Sequence, residues 1–326
     1  MTTGIRGTVG GTPLVLLDRL FPGPARVWAK LEGFNPSGSA KDRTAAALLA
    51  SALSTGTVRA GACVVESSSG NLGVALARDC ALHDIDFHCV VDPHANRQTV
   101  AVMTALGATV HHVDSPDPAT GDWLAARRTR VADLLRELPG AVNLDQYSNR
   151  AAFDAHSSGT MREIVDQLGR APDALFVAVS TTGTIGGCVR HLRETGARTR
   201  VTAVDAEGSV LYGGRRGERL LPGFGAGVVP DLAGLTDIGD VVRVSAADTV
   251  AGARALARRE GILPGASGGA VVAAAAGRAR EHGRSQDAEQ RTDTVLVLHD
   301  FGTAYLDTLY DDDWVAEHIG VVPSWR

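Results

Sequence analysis

Short apolar runs alternate along the chain with amphipathic or alanine-rich stretches. VWAKLE, ACVVES, DFHCVVD, ATVHHV, ALFVAVS, RVTAVDA and TVLVLHD are predicted strands. Between them, RTAAALLASAL, NLGVALARDCAL, NRQTVAVMTAL, WLAARRTRVADLLREL and SGTMREIVDQL are predicted helices. The strands are apolar throughout rather than alternating, which predicts sheets covered on both faces. Strand–helix alternation of this kind predicts βα units around largely parallel sheets. Two stretches break the rhythm: DSPDPATGD (Asp114 to Asp122) and YGGRRGERLLPGFGAGVVPD (Tyr212 to Asp231). A loop as long as the second, inside an α/β protein, marks a functional segment.

Bulk properties narrow the function class. A chain of 326 residues suggests about two domains. Apolar residues make up 44% and charged residues 21%, as in globular proteins with a sizeable core. A formal charge of −5 with dispersed arginines gives no footprint for nucleic acid. No apolar run approaches the ~18 residues of a membrane span, and MTTGIRGTVGG lacks the apolar core of a signal peptide. Cys63, Cys80, Cys89 and Cys188 form no CxxC pair and no zinc spacing. The expectation is buried thiols in a reducing, cytoplasmic compartment, with neither membrane nor nucleic acid as partner.

Open α/β sheets bind ligands where strands end at their carboxyl side. Three turns there are built from small residues, NPSGSAK after VWAKLEGF, SSSGNLG after ACVVE and STTGTIGG after ALFVAV, and a fourth such turn, GASGGA, opens a helix late in the chain. STTGTIGG has three consecutive hydroxyls and opens a helix, so unpaired N–H groups and the helix dipole favour an anion there. SSSGNLG also opens a helix and adds the amide of Asn71. NPSGSAK delivers Lys41 to a helix start. None of the four reads G-x-G-x-x-G, and Ser-Ala rather than Lys-Ser/Thr follows Gly38. A capping turn would use some of the same residues.

Gly265-Ala266-Ser267-Gly268-Gly269 is formally G-x-S-x-G, the hydrolase nucleophile pattern, with Asp287 or Asp293 and then His299 in a suitable order. Against a hydrolase, ALARREGILPG supplies a helix and only three apolar residues where the elbow needs a strong strand.

Taken together, NPSGSAKDR, SSSGNLG, STTGT and GASGGA occur in the order and spacing of the fold type II (β-family) pyridoxal-phosphate enzymes. Cysteine synthase and the core of cystathionine β-synthase are familiar members. The chain resembles them from GTVGGTPLVLL to TVLVLHDFGTAYLD. The resemblance implies a tryptophan synthase β-like, two-domain α/β fold with open parallel sheets and helices on both faces. It implies a large cofactor-binding domain from residues 1–41 and 146–326, and a small mobile domain, 42–145, that closes over substrate. A homodimer is also implied. Lys41 matches the lysine that bonds the cofactor and moves the substrate α-proton. Asn71 matches the partner of the ring hydroxyl, and Ser180, Thr181, Thr182, Gly183 and Thr184 match the phosphate loop. Ser68, Ser69 and Gly70 match the loop gripping the substrate carboxylate, with Gln146 as another partner. Ser267 matches the hydroxyl facing the pyridine nitrogen. A serine there favours expulsion of a β-leaving group and addition of a nucleophile at Cβ over transamination.

Within that family, ESSSGNLG, DQYSN, VSTTGTIGG, VDAEGSVLYG and YLDTLYDDDW resemble the branch that makes N-(2-amino-2-carboxyethyl)-L-glutamate for 2,3-diaminopropionate, a precursor of siderophores and peptide antibiotics. That branch joins O-phospho-L-serine to the amino group of L-glutamate and releases phosphate. Arg127 matches an arginine at the substrate phosphate, a task suited to a bidentate guanidinium. Tyr147 and Ser209 are further candidates for orienting substrate, and Arg215, Arg216 and Arg219 either help recruit anions or belong to a flexible charged surface loop. A sulfhydrylase using O-phosphoserine or O-acetylserine, a serine hydrolase built on Ser267, and a binding protein that kept the fold are the alternatives.

Overall fold

The computed structural model describes residues 4–59, 61–282 and 292–325. The chain divides into two compact units. One is Lys41–Ala152 with the N-terminal residues up to Val9; the other is Gly10–Ala40 with Phe153–Arg326.

The larger unit begins with β1 (Leu14–Leu16) and β2 (Arg26–Leu31). The chain then builds the whole sheet of the smaller unit: β3 (Cys63–Ser67), β4 (Asp86–Val91), β5 (Thr109–His112) and β6 (Ala141–Val142). These four are parallel, in the order β5-β4-β3-β6. Around them lie α1 (Lys41–Ser54), α2 (Asn71–Ala81), α3 (Arg97–Ala105) and α4 (Trp123–Glu137). The short helix α5 (Ala151–Ala155) leads back to the larger unit, and a π-helical turn, His156–Met161, joins it to α6 (Arg162–Leu168).

The return path adds β7 (Ala174–Ala178), α7 (Gly183–Glu194), β8 (Arg200–Ala206), β9 (Asp240–Val244), α8 (Ala246–Glu260), α9 (Ala266–His282), β10 (Asp293–Leu298) and α10 (Asp312–His318). The sheet order is β1-β2-β10-β7-β8-β9. All pairs are parallel except β1 with β2. The last strand in sequence therefore lies near the middle, with Leu296 opposite Ala29 on one side and Phe176 on the other.

The uninterrupted apolar runs have a direct structural cause. In β7 and β10, Leu175, Val177, Val295 and Val297 enter one core cluster with Ile185 and Cys188 of α7. Their neighbours Phe176, Leu296 and Leu298 enter another, with Val250 and Leu256 of α8 and Val271 of α9. In the smaller unit, Val64, Cys89 and Val91 pack with α1 and α2, whereas Val65 and Val90 pack with Val131 and Leu134 of α4. Period-two alternation sends every residue into a core because both faces are covered.

All seven predicted strands are present. Three short ones, β1, β6 and β9, were not expected from the pattern. β9 reads DVVRV, with Asp240 and Arg243 tolerated because it is an edge strand. The predicted helix SGTMREIVDQL departs in another way, since its first residues belong to the π-turn.

Candidate active site

The chemistry-bearing turns fall at the carboxyl ends of parallel strands in each unit. In the smaller unit, β3 ends at Ser67 and the SSSGN turn opens α2. The Ser68 hydroxyl accepts the Gly73 N–H at 3.0 Å, pinning the turn to the first turn of the helix. Gly73 must be bare: a Cβ there would lie 2.5 Å from the Met103 sulfur and 3.1 Å from the Ser68 carbonyl. Space beside Gly70 is open, with no atom within 4 Å of where a Cβ would sit. Ser69, Gly70 and Asn71 are half-buried. Gln146, buried, donates from Nε2 to the Ser67 carbonyl at 3.2 Å. Its backbone is set by Asp145, a non-glycine residue at φ 49°, whose carboxylate accepts from the Tyr147 N–H and the Ser148 hydroxyl.

Three arginines of α4 take different surroundings. Arg128 is exposed and lies over the Tyr147 ring, 5.6 Å from its centroid. Arg130 pairs with Glu137 on the surface. Arg127 alone turns toward the SSSGN loop: Nη1 donates to the Ser69 hydroxyl at 3.3 Å, and Nε lies 3.1 Å from Oδ2 of Asp92. Its side chain is only 12% exposed, so it is a held, oriented cation and not part of a solvated face. Asp92, buried just past β4, was missed in the sequence; its place at a strand's carboxyl end is the signal that could have found it.

Behind this loop lies a buried carboxyl, Glu66. Burial pushes it up to about 7 from its ordinary 4.5, against the opposing hydrogen bond from the Ser67 N–H, and the Asp145 charge adds to the rise. It borders a cavity of about 170 Å³ also lined by Arg128, Asn143, Asp145 and Tyr147.

Lys41 is the first residue of α1 and is half-buried. The preceding turn is fixed within the larger unit, where the Ala40 N–H donates to the His299 carbonyl at 2.8 Å and Ser39 bridges Asp300. Asp42, buried, pairs with Arg78 at 2.5 Å.

In the larger unit, Ser180–Thr184 follows β7 and opens α7. Thr181, Thr182, Gly183 and Thr184 are buried and Ser180 is half-buried. Thr182 caps the helix at φ 65°, an unusual conformation for a β-branched residue. Its hydroxyl is buried with no hydrogen-bond partner among the described residues. A strained cap, an unpaired hydroxyl and free N–H groups at the N-terminus of a 12-residue helix fit a phosphate monoester. The Thr184 hydroxyl meets His156 Nε2 at 3.2 Å, and Nδ1 of that fully buried histidine meets the Thr160 hydroxyl at 2.9 Å. The π-turn thus supplies a positioning group that the apolar pattern did not reveal.

The glycines that follow have a different role from the one the motif suggests. A Cβ at Gly186 would strike the Phe153 ring at 2.2 Å, and one at Gly187 would lie 2.6 Å from the Phe153 carbonyl. They let α7 approach α5. In GASGGA, similarly, Gly269 is bare because α8 crosses there, its Thr249 carbonyl 2.3 Å from a would-be Cβ.

Ser267 is buried in the first turn of α9, 3.4 Å from Oδ1 of Asp300, whose Oδ2 accepts from the Tyr305 hydroxyl at 3.2 Å. The hydrolase arrangement does not form. No strand precedes Ser267, and Asp293 stands at the start of β10, bound by Arg26, Trp28 and Arg170, while His299 follows its end. Asp287 lies outside the described residues.

Residues 5–300 match the family model described as pyridoxal-phosphate dependent enzyme. The chain is 43% identical over 309 residues to the N-(2-amino-2-carboxyethyl)-L-glutamate synthase of Ralstonia nicotianae, covering 94% of this chain and 89% of that one. It is 40% identical over 311 residues to the synthase of the same name from Cupriavidus metallidurans, covering 95% and 90%. Among solved structures, it resembles the O-acetylserine dependent cystathionine beta-synthase of Helicobacter pylori with a TM-score of 0.84 at 27% identity, covering 94% and 98%.

Proposed function

Given that the chain belongs to the pyridoxal-phosphate-dependent enzymes, with their fold type II architecture, we propose that it joins O-phospho-L-serine to the amino group of L-glutamate. The products are N-(2-amino-2-carboxyethyl)-L-glutamate and phosphate, for 2,3-diaminopropionate biosynthesis. The name shared by the two curated relatives supports this reading. The observation that carries the choice of donor is Arg127, anchored by buried Asp92 and reaching the Ser69 hydroxyl. A phosphate dianion leaving from Cβ needs such a fixed, bidentate cation; a sulfhydrylase acting on an acetyl ester does not.

Pyridoxal phosphate, when bound, supplies the electron sink that acidifies the substrate's α-carbon. In our reading Lys41 holds it and shuttles the α-proton, while Ser180–Thr184 hold its phosphate through neutral donors and the α7 dipole. Asn71 meets its ring hydroxyl and Ser267 its ring nitrogen. Ser68–Gly70 and Gln146 bind the donor's carboxylate, Arg127 its phosphate, and Tyr147 orients it. Residues 1–41 and 146–326 carry the cofactor, and residues 42–145 close over substrate and keep water from the reacting Cβ. Cytoplasmic residence and a homodimer complete the proposal. Among the described residues no helix is long and apolar enough to cross a membrane.

The test offers O-phosphoserine to the cofactor-loaded protein with glutamate and sulfide together, followed by mass spectrometry. A glutamate adduct with equimolar phosphate, absent in Lys41→Ala, supports the proposal. Cysteine without adduct makes the protein a sulfhydrylase.

A further inference from the structure

A leaving phosphate poses a proton problem that a fixed arginine does not solve. A phosphomonoester is mostly dianionic at neutral pH, since its second pKa is about 6. When its Cβ–O bond breaks, both electrons of the bond stay with oxygen. Without a proton the group would leave as a trianion, far more basic than hydrogen phosphate. A guanidinium offsets charge but keeps its protons. The departing oxygen therefore needs a separate acid, and the surroundings of Arg127 contain one.

Asp92 holds two cation-forming side chains, one on each carboxylate oxygen. Oδ2 lies 3.1 Å from Nε of Arg127 and Oδ1 lies 3.5 Å from Nδ1 of His94. Oδ1 also accepts from the His94 backbone N–H at 2.9 Å. The Asp92 side chain is 6% exposed, whereas the imidazole is 69% exposed. That ring stands edge-on to Trp123, the first residue of α4, with centroids 5.3 Å apart. His94 is thus open to solvent yet held on two sides, by a carboxylate of its own loop and by an indole from the helix that carries Arg127. All of these residues, with Ser69, belong to the smaller unit. Asp92 follows β4 and Ser69 follows β3, neighbouring parallel strands, so both lie at the carboxyl edge where such sheets take ligands.

Each cation keeps one nitrogen unused. Arg127 turns Nε to Asp92 and Nη1 to Ser69, and among the described residues Nη2 has no partner. In His94, Nδ1 faces Asp92, and Nε2, across the ring, likewise has none among the described residues. With the imidazole protonated, one carboxylate serves two cations, and a bound anion completes the balance.

We propose that His94 is the general acid for the leaving phosphate, giving its Nε2 proton to the oxygen that parts from Cβ while Arg127 holds the other phosphate oxygens. This rests on the reading above, in which Arg127 binds the donor's phosphate. The bond changes balance. The Cβ–O bond breaks with its electron pair going to oxygen, the imidazolium N–H gives that oxygen its proton, and hydrogen phosphate leaves. The acceptor's ammonium must shed one proton before its nitrogen can bond to Cβ, and that proton restores the imidazolium. Asp92 favours the protonated ring and fixes which nitrogen faces outward.

The test follows phosphate release from O-phosphoserine by the wild-type holoenzyme and by His94→Ala, His94→Gln and Arg127→Ala. Both His94 variants should lose about a hundredfold or more in kcat, with KM for O-phosphoserine within about threefold of wild type. Arg127→Ala should instead raise KM. Because the ring is exposed, added imidazole should restore part of the lost kcat to His94→Ala and none to Arg127→Ala. With β-chloro-L-alanine as donor, whose chloride leaves without a proton, the His94 deficit should shrink to less than about threefold. A raised KM with unchanged kcat would make His94 a binding group. An equal deficit with β-chloro-L-alanine, or no rescue by imidazole, would make its role structural. Any of these overturns the assignment. Phosphate release unaltered in both His94 variants rejects the acid and leaves the reading of the donor standing. A wild-type enzyme that releases no phosphate from O-phosphoserine fails that reading, and the acid with it.

Discussion

Replacing Glu66 by glutamine should stabilise this protein, and increasingly so as pH rises. Glu66 is 2% exposed at the end of β3, and burial lifts its carboxyl from 4.5 to about 7. The folded state therefore prefers the neutral acid. Its contribution is most favourable below the unfolded value, and stability is lost as pH climbs from near 4.5 through about 7. Over that whole rise the loss is about 3 kcal/mol, at ~1.4 kcal/mol per pH unit. Glutamine keeps the shape and remains neutral. By about pH 5.5 roughly 1 kcal/mol of the penalty is present in wild type, so the advantage of Glu66→Gln should widen by about 2 kcal/mol between about pH 5.5 and about pH 8. Urea unfolding of the two holoenzymes at matched pH values measures this, because titrations shared by both cancel in the difference. That includes Asp79, which burial also raises, to about 6. A difference that stays flat across this range, or a variant less stable at high pH, would refute the reasoning.

Other perturbations test the candidate site and its scaffold. Lys41→Ala should abolish product formation and the visible absorbance of the cofactor-loaded protein, as checked by spectrophotometry beside the adduct assay. Arg127→Ala should raise KM for O-phosphoserine by about ten- to a hundredfold, the worth of a charge-assisted pair of ~1.5–3 kcal/mol; a variant with unaltered KM would release Arg127 from the donor's phosphate. Gly187→Ala meets backbone atoms of Phe153 and Ser157 that cannot swing aside, so overpacking of about 1–3 kcal/mol is expected, with weaker cofactor retention in equilibrium dialysis. Asp293→Ala should cost about 2–3 kcal/mol by thermal unfolding, since it strands the Trp28 N–H and leaves Arg26 and Arg170 without their shared acceptor.

What the sequence could and could not convey follows from the range of each interaction. Continuous apolar strands such as ALFVAV are legible because covering both faces leaves its mark on every residue. β9 is not, since an edge strand tolerates Asp240 and Arg243, and its pairing with β8 depends on residues some forty positions away. The turns around Lys41, Asn71 and Ser180–Thr184 stand out by composition and by their place after strands, and the turn around Ser267 by composition alone. The motif does not distinguish glycines that border a ligand from those that let helices meet, and Gly186, Gly187 and Gly269 belong to the second kind. Nor can spacing alone separate Arg127 from Arg128. Adjacent helical residues point about 100° apart, and only the docking of α4 against β3 and β4 decides which meets Ser69. His156 is hidden for a similar reason, because its aim depends on a π-turn that leaves no apolar signature.

The position of β10 has a consequence for how the molecule is made. A ribosome delivers Lys41–Ala152 as one uninterrupted stretch, so the smaller sheet can assemble while synthesis continues. The larger sheet cannot. Residues 26–31 wait, without a parallel neighbour, through more than two hundred and fifty further residues until Asp293–Leu298 emerge to fill the gap between β2 and β7. Until then two apolar strand edges stay open, and a nascent chain stalled before Asp293 would carry a finished smaller unit tethered to an unfinished sheet.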